Sequence, residues 1–197
     1  ARALGAAGGD PVWGWGLLEV TKAANGPSNF AWGDFSVSFS GHSVWRNPII
    51  GSGGLVKGGS GTLTLAEAGN FTGATRVDAG GLDVRKGLRS NLGIANVWAS
   101  GAFGGNVNND GRFFNGASVP ATIAGNFIQS STGNLGIWLG STLRVTGSAT
   151  LNGQMSILGV RSGYTTTAKE TLLNASAGVS GTFTTLKAAP NVFLDAN

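Results

Sequence analysis

Hydrophobic and polar residues alternate with a period of two over most of the chain beyond residue 30. Phe35, Val37 and Phe39 are separated by serines, which predicts a strand with one buried face. Later segments of three to five residues repeat this alternation, among them Leu63/Leu65, Leu82/Val84, Leu135/Ile137/Leu139, Leu143/Val145 and Met155/Ile157. Gly, Asn or Ser separates the segments, which recur about every 18–22 residues, a period that indicates a solenoid.

The N-terminal segment has a different pattern. Residues 17–24 predict a short helix of about two turns. Asn25, Gly26 and Pro27 end it, because glycine can take a left-handed conformation and proline cannot continue a helix. We expect no helix after Pro27.

Two all-β architectures fit many short strands. A sandwich or barrel usually has longer strands, with a turn every 8–12 residues or so. Here the turns are closer together, and Gly and Asn stand at many strand ends. Each rung of a β-helix bends two or three times, and each bend favours a residue that tolerates left-handed φ. The pattern therefore favours a single-stranded, right-handed parallel β-helix.

Composition narrows the class of protein. Hydrophobic residues make up 41% of the 197 residues, and charged residues only 11%, below the roughly 25% usual for soluble domains. Asn, Ser, Thr and the 35 glycines must cover the surface, as in extracellular β-solenoids. The net charge of +4 comes from scattered basic residues and there is no cysteine, so we expect no nucleic-acid partner and no Cys-ligated zinc. We also expect a monomer.

Candidate catalytic and metal-binding residues are few. The single histidine, His42, lies in a Ser-Gly-His-Ser segment typical of a surface turn, and no G-x-S-x-G nucleophile motif occurs. Residues 58–63 nearly match a calcium-binding nonapeptide, but Leu63 stands where the ligand aspartate should be and should pack inward. We therefore predict no catalytic residue, no metal and no cofactor.

Four charged residues are compatible with two interpretations. Asp78 and Asp83 could lie near Arg76 and Arg85 on adjacent strands, as carboxylates and cations do in some polysaccharide-cleaving β-helices. The favoured interpretation is a solvated cross-strand charge cluster.

Residues 51–84 carry a dense motif. The segment GSGGLVKGGSGTLTLAEAGNFTGATRVDAGGLDV resembles the passenger-associated repeat of bacterial autotransporters. The matching residues are Gly51, Gly53, Leu55, Lys57, Gly59, Gly61, Leu63, Leu65, Asn70, Gly73, Thr75, Val77, Gly80 or Gly81, and Leu82. Phe71 replaces the usual tyrosine, and Glu67-Ala68 stands where glycine is more common. The resemblance implies a passenger β-helix.

A second segment, residues 125–157, resembles the autochaperone region found late in such passengers. It has Gly-x-Phe-x-Gln followed by an alternating strand, and residues 178–183 resemble a last passenger rung. The resemblance implies a folding nucleus, to which we assign Leu135, Ile137, Trp138, Leu139, Leu143, Val145 and Leu151. Aspartate at Val145 should then prevent folding.

The first residues resemble a third element of the same proteins. Residues 10–20 are similar to the closing segment of subtilisin-like catalytic domains, and Asn25-Gly26-Pro27 and an aromatic strand follow in the order seen in subtilisin-like autotransporters. The resemblance implies that residues 1–29 end a protease domain and linker. Residues 30–197 would form the passenger β-helix, with 125–197 autochaperone-like.

This resemblance implies a secreted, surface-exposed segment exported through the outer membrane. Its partners would be the protease domain before it and an outer-membrane barrel after it on the same polypeptide. The chain would act as a structural stem and would promote folding, without the catalytic triad of the parent.

The alternative is an adhesin-type surface for host glycans or proteins, and a less favoured one is a glycan-cleaving enzyme or protease fragment. The tryptophans bear on this choice: Trp13, Trp15, Trp32, Trp45, Trp98 and Trp138. We expect the early ones to pack in a junction or cap, whereas an exposed row of three aromatic residues would favour a binding surface.

Overall fold

The protein is described by a computed structural model for residues 20–163, 170–190 and 192. This part of the chain contains one short helix and twenty strands. They are α1 (Val20–Ala24), β1 (Asn29–Phe30), β2 (Phe35–Ser38), β3 (His42–Trp45), β4 (Ile50–Gly51), β5 (Leu55–Gly58), β6 (Thr62–Leu65), β7 (Thr75–Val77), β8 (Gly81–Val84), β9 (Leu92–Ala99), β10 (Gly101–Phe103), β11 (Val107–Asn115), β12 (Ala121–Ile123), β13 (Phe127–Gln129), β14 (Asn134–Leu139), β15 (Leu143–Val145), β16 (Ala149–Leu151), β17 (Gln154–Val160), β18 (Leu173–Ala175), β19 (Val179–Gly181) and β20 (Thr185–Ala188).

The strands stack in three faces. Face one is the succession β2, β5, β7, β9, β11, β13, β16 and β19. Face two contains β3, β6 and β8, then the second parts of β9 and β11, then β14, β17 and β20. Face three begins with β1 and β4 and ends with β10, β12, β15 and β18. Every strand pair among the described residues is parallel, which confirms a parallel β-helix over a sandwich or barrel.

The period-two pattern places one hydrophobic side chain per rung at most inward positions. On face two these residues form a ladder: Leu63, Leu82, Val97, Phe113, Leu135 and Met155. All six are buried in one hydrophobic cluster that includes residues from all three faces. Since each rung contacts mainly its neighbours, the stability of such a stack is close to a sum over adjacent rungs.

Rung length varies more than the expected period. Phe35 pairs with Leu55 and Leu55 with Thr75, so these two rungs are equal in length and agree with the predicted period. The rung from Leu92 to its partner Val107 is shorter, because β9 continues from face one into face two and only Ser100 separates it from β10. The rung from Ala149 to its partner Val179 is the longer extreme of these examples. Extra residues can enter a rung in its turns without changing the stacked strands.

The helix prediction is confirmed as far as the structure describes it. Helix α1 covers Val20–Ala24, and residues 17–19 lie outside the described residues. The described residues contain no second helix, as expected after Pro27. In the same residues, no helix has the length and apolar character needed to cross a membrane.

Candidate functional site

A lysine is buried inside the solenoid, at the corner where face one turns into face two. Lys57 is an inward residue of β5 and its exposed fraction is 0%. Its Nζ atom donates hydrogen bonds to the carbonyl oxygens of Gly58 (2.6 Å), Gly59 (3.2 Å) and Ala79 (3.4 Å). The same atom lies 4.7 Å from the centroid of the Phe39 ring, a cation–π distance. The ammonium group therefore satisfies carbonyls at this corner on two successive rungs.

Burial lowers the pKa of Lys57 from its ordinary value of 10.5, because desolvation disfavours the charged form. The unfolded chain then binds more protons than the folded chain between the two pKa values. The free energy of unfolding should therefore rise as the pH increases from the folded pKa towards 10.5.

Replacing Lys57 by methionine tests the role of the ammonium group. Methionine keeps the length of the side chain but removes the donor to three carbonyls, so we expect a loss of about 1–3 kcal/mol in the free energy of unfolding. Urea denaturation followed by circular dichroism would measure it. The exposed Lys187→Met variant should stay within about 0.5 kcal/mol of the parent chain, and a stable Lys57→Met variant would contradict the assigned role.

A buried amide pair occupies the equivalent corner several rungs later. Asn109 and Gln129 are register partners on β11 and β13, and both are buried. The Nδ2 atom of Asn109 donates to Oε1 of Gln129 at 2.8 Å. Gln129 Nε2 donates to the carbonyl oxygens of Gly133, Asn152 and Gln154, at 3.2, 2.6 and 2.9 Å. One side chain thus joins three successive rungs.

The corner between faces two and three has its own buried polar pair. Asn115 Nδ2 donates to the carbonyl oxygen of Ser141 at 3.0 Å, and Asn115 Oδ1 accepts from the backbone N–H of Ala121 at 2.7 Å. Ser141 Oγ donates to the carbonyl oxygen of Gly116 at 2.7 Å. Backbone groups that a turn leaves unpaired are costly when buried, so these side chains stabilise the bend.

An asparagine ladder connects rungs along the corner between faces three and one. Asn91 Oδ1 accepts from the backbone N–H of Asn106, Asn106 Oδ1 from that of Asn126, and Asn126 Oδ1 from that of Ser148, each at 2.9 Å. Each side chain replaces a strand hydrogen bond where the backbone bends.

Most residues assigned to the folding nucleus lie inside the solenoid. Leu135, Ile137 and Leu143 have an exposed fraction of 0%, and Val145 has 2%. Leu139 and Leu151 are half-buried and pack against the core. Trp138 lies differently: it follows a register shift in β14, is half-buried, and its ring covers Gly159. The folding role of these seven residues stays a prediction.

His42 is not arranged as a catalytic base. Its Nε2 atom is 2.8 Å from Thr64 Oγ1, and the Thr64 hydroxyl donates to Oδ2 of Asp83 at 3.3 Å. A serine-hydrolase triad needs a nucleophile that donates to the histidine and a carboxylate on its other nitrogen. Here a threonine stands between the histidine and the carboxylate, so the three groups form a hydrogen-bond chain on the outer side of face two in which the middle residue, Thr64, is covered.

The four charged residues form two separate pairs instead of one cross-strand cluster. Arg76 Nε lies 2.7 Å from Asp78 Oδ1, and Arg85 Nε lies 3.0 Å from Asp83 Oδ2. Each pair joins residues two positions apart in the same segment, one on face one and the other on face two, so the expectation of cross-strand pairing was wrong. Such exposed pairs contribute about 0–1 kcal/mol.

Leu63, which replaces a calcium ligand in the nonapeptide-like segment, has an exposed fraction of 0% and packs in the core. Within the described residues, no group of three or more His, Asp or Glu side chains could hold a metal ion.

The tryptophans divide between core and surface. Trp45 is buried and its ring lies edge-on to Phe35 at 5.6 Å, as expected for packing near the first rungs. Trp32 is 94% exposed, so the expectation that it packs in a junction or cap was wrong. Trp98 is 44% exposed, and the Trp98 and Phe114 rings are 5.8 Å apart on the outer side of face two. Trp13 and Trp15 lie outside the described residues.

Sequence reasoning missed the buried polar residues at the corners. The sequence indicates scattered basic residues and a surface covered by Asn, Ser, Thr and Gly, so it does not place Lys57, Asn109 or Asn115 inside the solenoid. One pattern could have indicated them: Lys57 and Gln129 each follow an inward hydrophobic residue by two positions, so alternation places them inward as well.

Comparisons with known proteins show which family this β-helix resembles. The model of the Passenger-associated-transport-repeat family matches residues 55–84, the rungs around Lys57. The chain is also 35% identical over 180 residues to the Neisserial autotransporter lipoprotein NalP of Neisseria meningitidis serogroup B, covering 83% of this chain and 17% of that protein. The chain is a passenger β-helix region of an autotransporter.

Two other relatives of this passenger region cover less of it or are less similar. An extracellular serine protease of Serratia marcescens is 30% identical over 133 residues, which are 49% of this chain and 13% of the protease. The adhesin BmaC autotransporter of Brucella suis biovar 1 is 30% identical over 174 residues, 71% of this chain and 4% of the adhesin. The passenger region spans 17% or less of each of these three relatives. As part of an autotransporter, it is exported across the outer membrane to the cell surface.

Proposed function

We propose that this passenger region is the structural stem of a surface protein and that its C-terminal part, residues 125–197, promotes folding of the rest. The observation that carries the proposal is the continuous stack of face one from Phe35 to Gly181 over a single hydrophobic core. A stack of this kind grows by adding rungs to a formed edge, so its first formed rung is a template for the others.

Two features favour the C-terminal part as that template. Strands β14 and β17 share six register pairs, and Leu135, Ile137 and Leu143 of β14 and β15 have an exposed fraction of 0%. Gln129 adds hydrogen bonds across three rungs in the same region. A rung fixed by both core packing and internal hydrogen bonds loses less of its stability when its neighbours are still unfolded.

The proposal extends to the rest of the polypeptide. A subtilisin-like serine protease domain would precede the stem, residues 1–29 would form its end and the linker, and a C-terminal translocator would follow. The Serratia relative is an extracellular serine protease, which supports a protease domain in the parent protein. The stem itself would carry no catalytic function and would hold the protease domain away from the membrane.

Limited proteolysis of the purified chain tests the order of stability. With a low dose of a nonspecific protease and mass spectrometry of the fragments, we expect the surviving core to include residues from 125 to β20. Backbone amides of β14 and β17 should also exchange more slowly than those of β2 and β3. Survival of the N-terminal rungs alone, or rapid degradation throughout, would contradict the folding role.

A further inference from the structure

A shallow polar groove follows the corner between faces one and two over four rungs. One side of it is an outward column of four register partners: Arg112 on β11, Asn134 on β14, Gln154 on β17 and Thr185 on β20. The remaining lining residues are Gly111, Ser131, Thr132, Gly133, Gly153 and Thr184. The column places one polar side chain on each rung, at the inter-strand spacing of about 4.8 Å.

Two amides in this column are held in place by a third side chain. Gln154 Nε2 donates to Ser156 Oγ at 2.7 Å, and Ser156 Oγ donates to Asn134 Oδ1 at 2.9 Å. The Nδ2 atom of Asn134 and the Oε1 atom of Gln154 have no protein partner among the described residues. The groove therefore presents a fixed donor and a fixed acceptor on adjacent rungs, a pair that suits hydroxyl groups.

Aromatic and cationic groups flank the amides. Phe114 lies two residues beyond Arg112 on β11 and shares its outward face, and the partly exposed Trp98 lies beside Phe114 on the preceding rung. Flat aromatic rings offer apolar contact to the C–H faces of a sugar. The Arg112 guanidinium has no acidic partner among the described residues and can donate to a hydroxyl or a carboxylate.

We propose that this groove binds an extended polysaccharide chain that lies along the solenoid axis. One polar group per rung repeats at a distance comparable to the length of one sugar ring, so successive sugars would meet Arg112, Asn134 and Gln154 in turn. The backbone here is paired within the sheet and offers no free edge for a peptide strand. A nucleic acid would need a cluster of cations, and Arg112 is the only cation among the groove residues named above.

Binding of three hexasaccharides to the 197-residue chain tests the proposal: chitohexaose, cellohexaose and a hyaluronan hexasaccharide. Isothermal titration should show binding of at least one. The double variant Asn134→Ala/Gln154→Ala should weaken it by about tenfold or more, which corresponds to the loss of one or two hydrogen bonds. The matched control is Asn108→Ala/Asn174→Ala, which removes two exposed amides from the outer sides of faces one and three and should leave affinity unchanged.

The exposed Arg112→Gln variant distinguishes the sugars, because it should weaken the acidic hyaluronan more than the neutral chains. It also keeps the test independent of any loss of folding in the double variant, which circular dichroism would show. The proposal is wrong if none of the three hexasaccharides binds, or if binding survives both Asn134→Ala/Gln154→Ala and Arg112→Gln. It is also wrong if the control variant loses affinity equally.

Discussion

The Val145→Asp variant is expected to lose the folded C-terminal rungs. Val145 is 2% exposed on β15, and its register partners are Ile123 on the preceding rung and Ala175 on the next. The aspartate carboxylate would be buried among hydrophobic side chains, without a counter-charge or a hydrogen-bond donor of its own. We expect a loss of at least about 4 kcal/mol in the free energy of unfolding, which exceeds most single substitutions.

Ile128→Asp is the matched control for this variant. Ile128 is also a β-branched aliphatic residue, but it is 46% exposed on the outer side of β13, a strand of face one. Its replacement should change the unfolding free energy by about 0.5 kcal/mol or less. Urea denaturation followed by circular dichroism would compare the two. Equal stability of both variants would contradict the inward assignment of Val145, and a folded Val145→Asp chain would remove the support for the folding nucleus.

The Gly53→Ala variant is expected to be the most destabilising change of one methyl group. An added Cβ atom at Gly53 would lie 1.9 Å from the carbonyl oxygen of Gly33 and 2.8 Å from that of Phe30. Gly73, one rung later, is constrained in the same way, because a Cβ atom added there would lie 2.3 Å from the carbonyl carbon of Gly53. The neighbouring atoms belong to the backbone, so no rotamer change relieves the overlap, and we expect a loss of about 3 kcal/mol or more.

Gly93→Ala provides the comparison for this prediction. Gly93 lies within β9, and an added Cβ atom there would meet nothing within 4 Å. Its replacement should be neutral or stabilising by about 0.4–1 kcal/mol, because alanine reduces the entropy of the unfolded chain. Thermal and urea midpoints of both variants would measure the difference. If Gly53→Ala were as stable as Gly93→Ala, close backbone stacking at this corner would not be the reason for glycine.

Period-two alternation and turn residues favoured the fold class, and the resemblance to the passenger-associated repeat strengthened that prediction. The inward residues of the strands, such as Leu63 and Leu135, follow directly from alternation, because a strand points successive side chains to opposite faces. The passenger-associated repeat was also recognisable in the sequence alone, since its glycines and leucines occur at fixed spacing. The family match to residues 55–84 confirms that part.

The buried polar corners were not predicted, for a physical reason. A charged or amide residue at an inward position is costly unless its polar atoms find partners, so sequence reasoning places such residues outside. The partners of Lys57 include Ala79 and those of Gln129 include Asn152, residues of the next rung. Local sequence does not show that these carbonyls converge on one side chain.

The chain's own sequence thus determined the β-helix, its inward hydrophobic ladders and its glycine-rich corners, because these depend on local alternation and backbone freedom. Only the tertiary structure decided which side chains meet across rungs. Rungs of unequal length, short between β9 and β11 and long between β16 and β19, set the register of the stacked strands. That register places Trp98 beside Phe114 and aligns Arg112, Asn134 and Gln154 in one groove, since neighbours in a solenoid are joined by stacking and not by sequence distance.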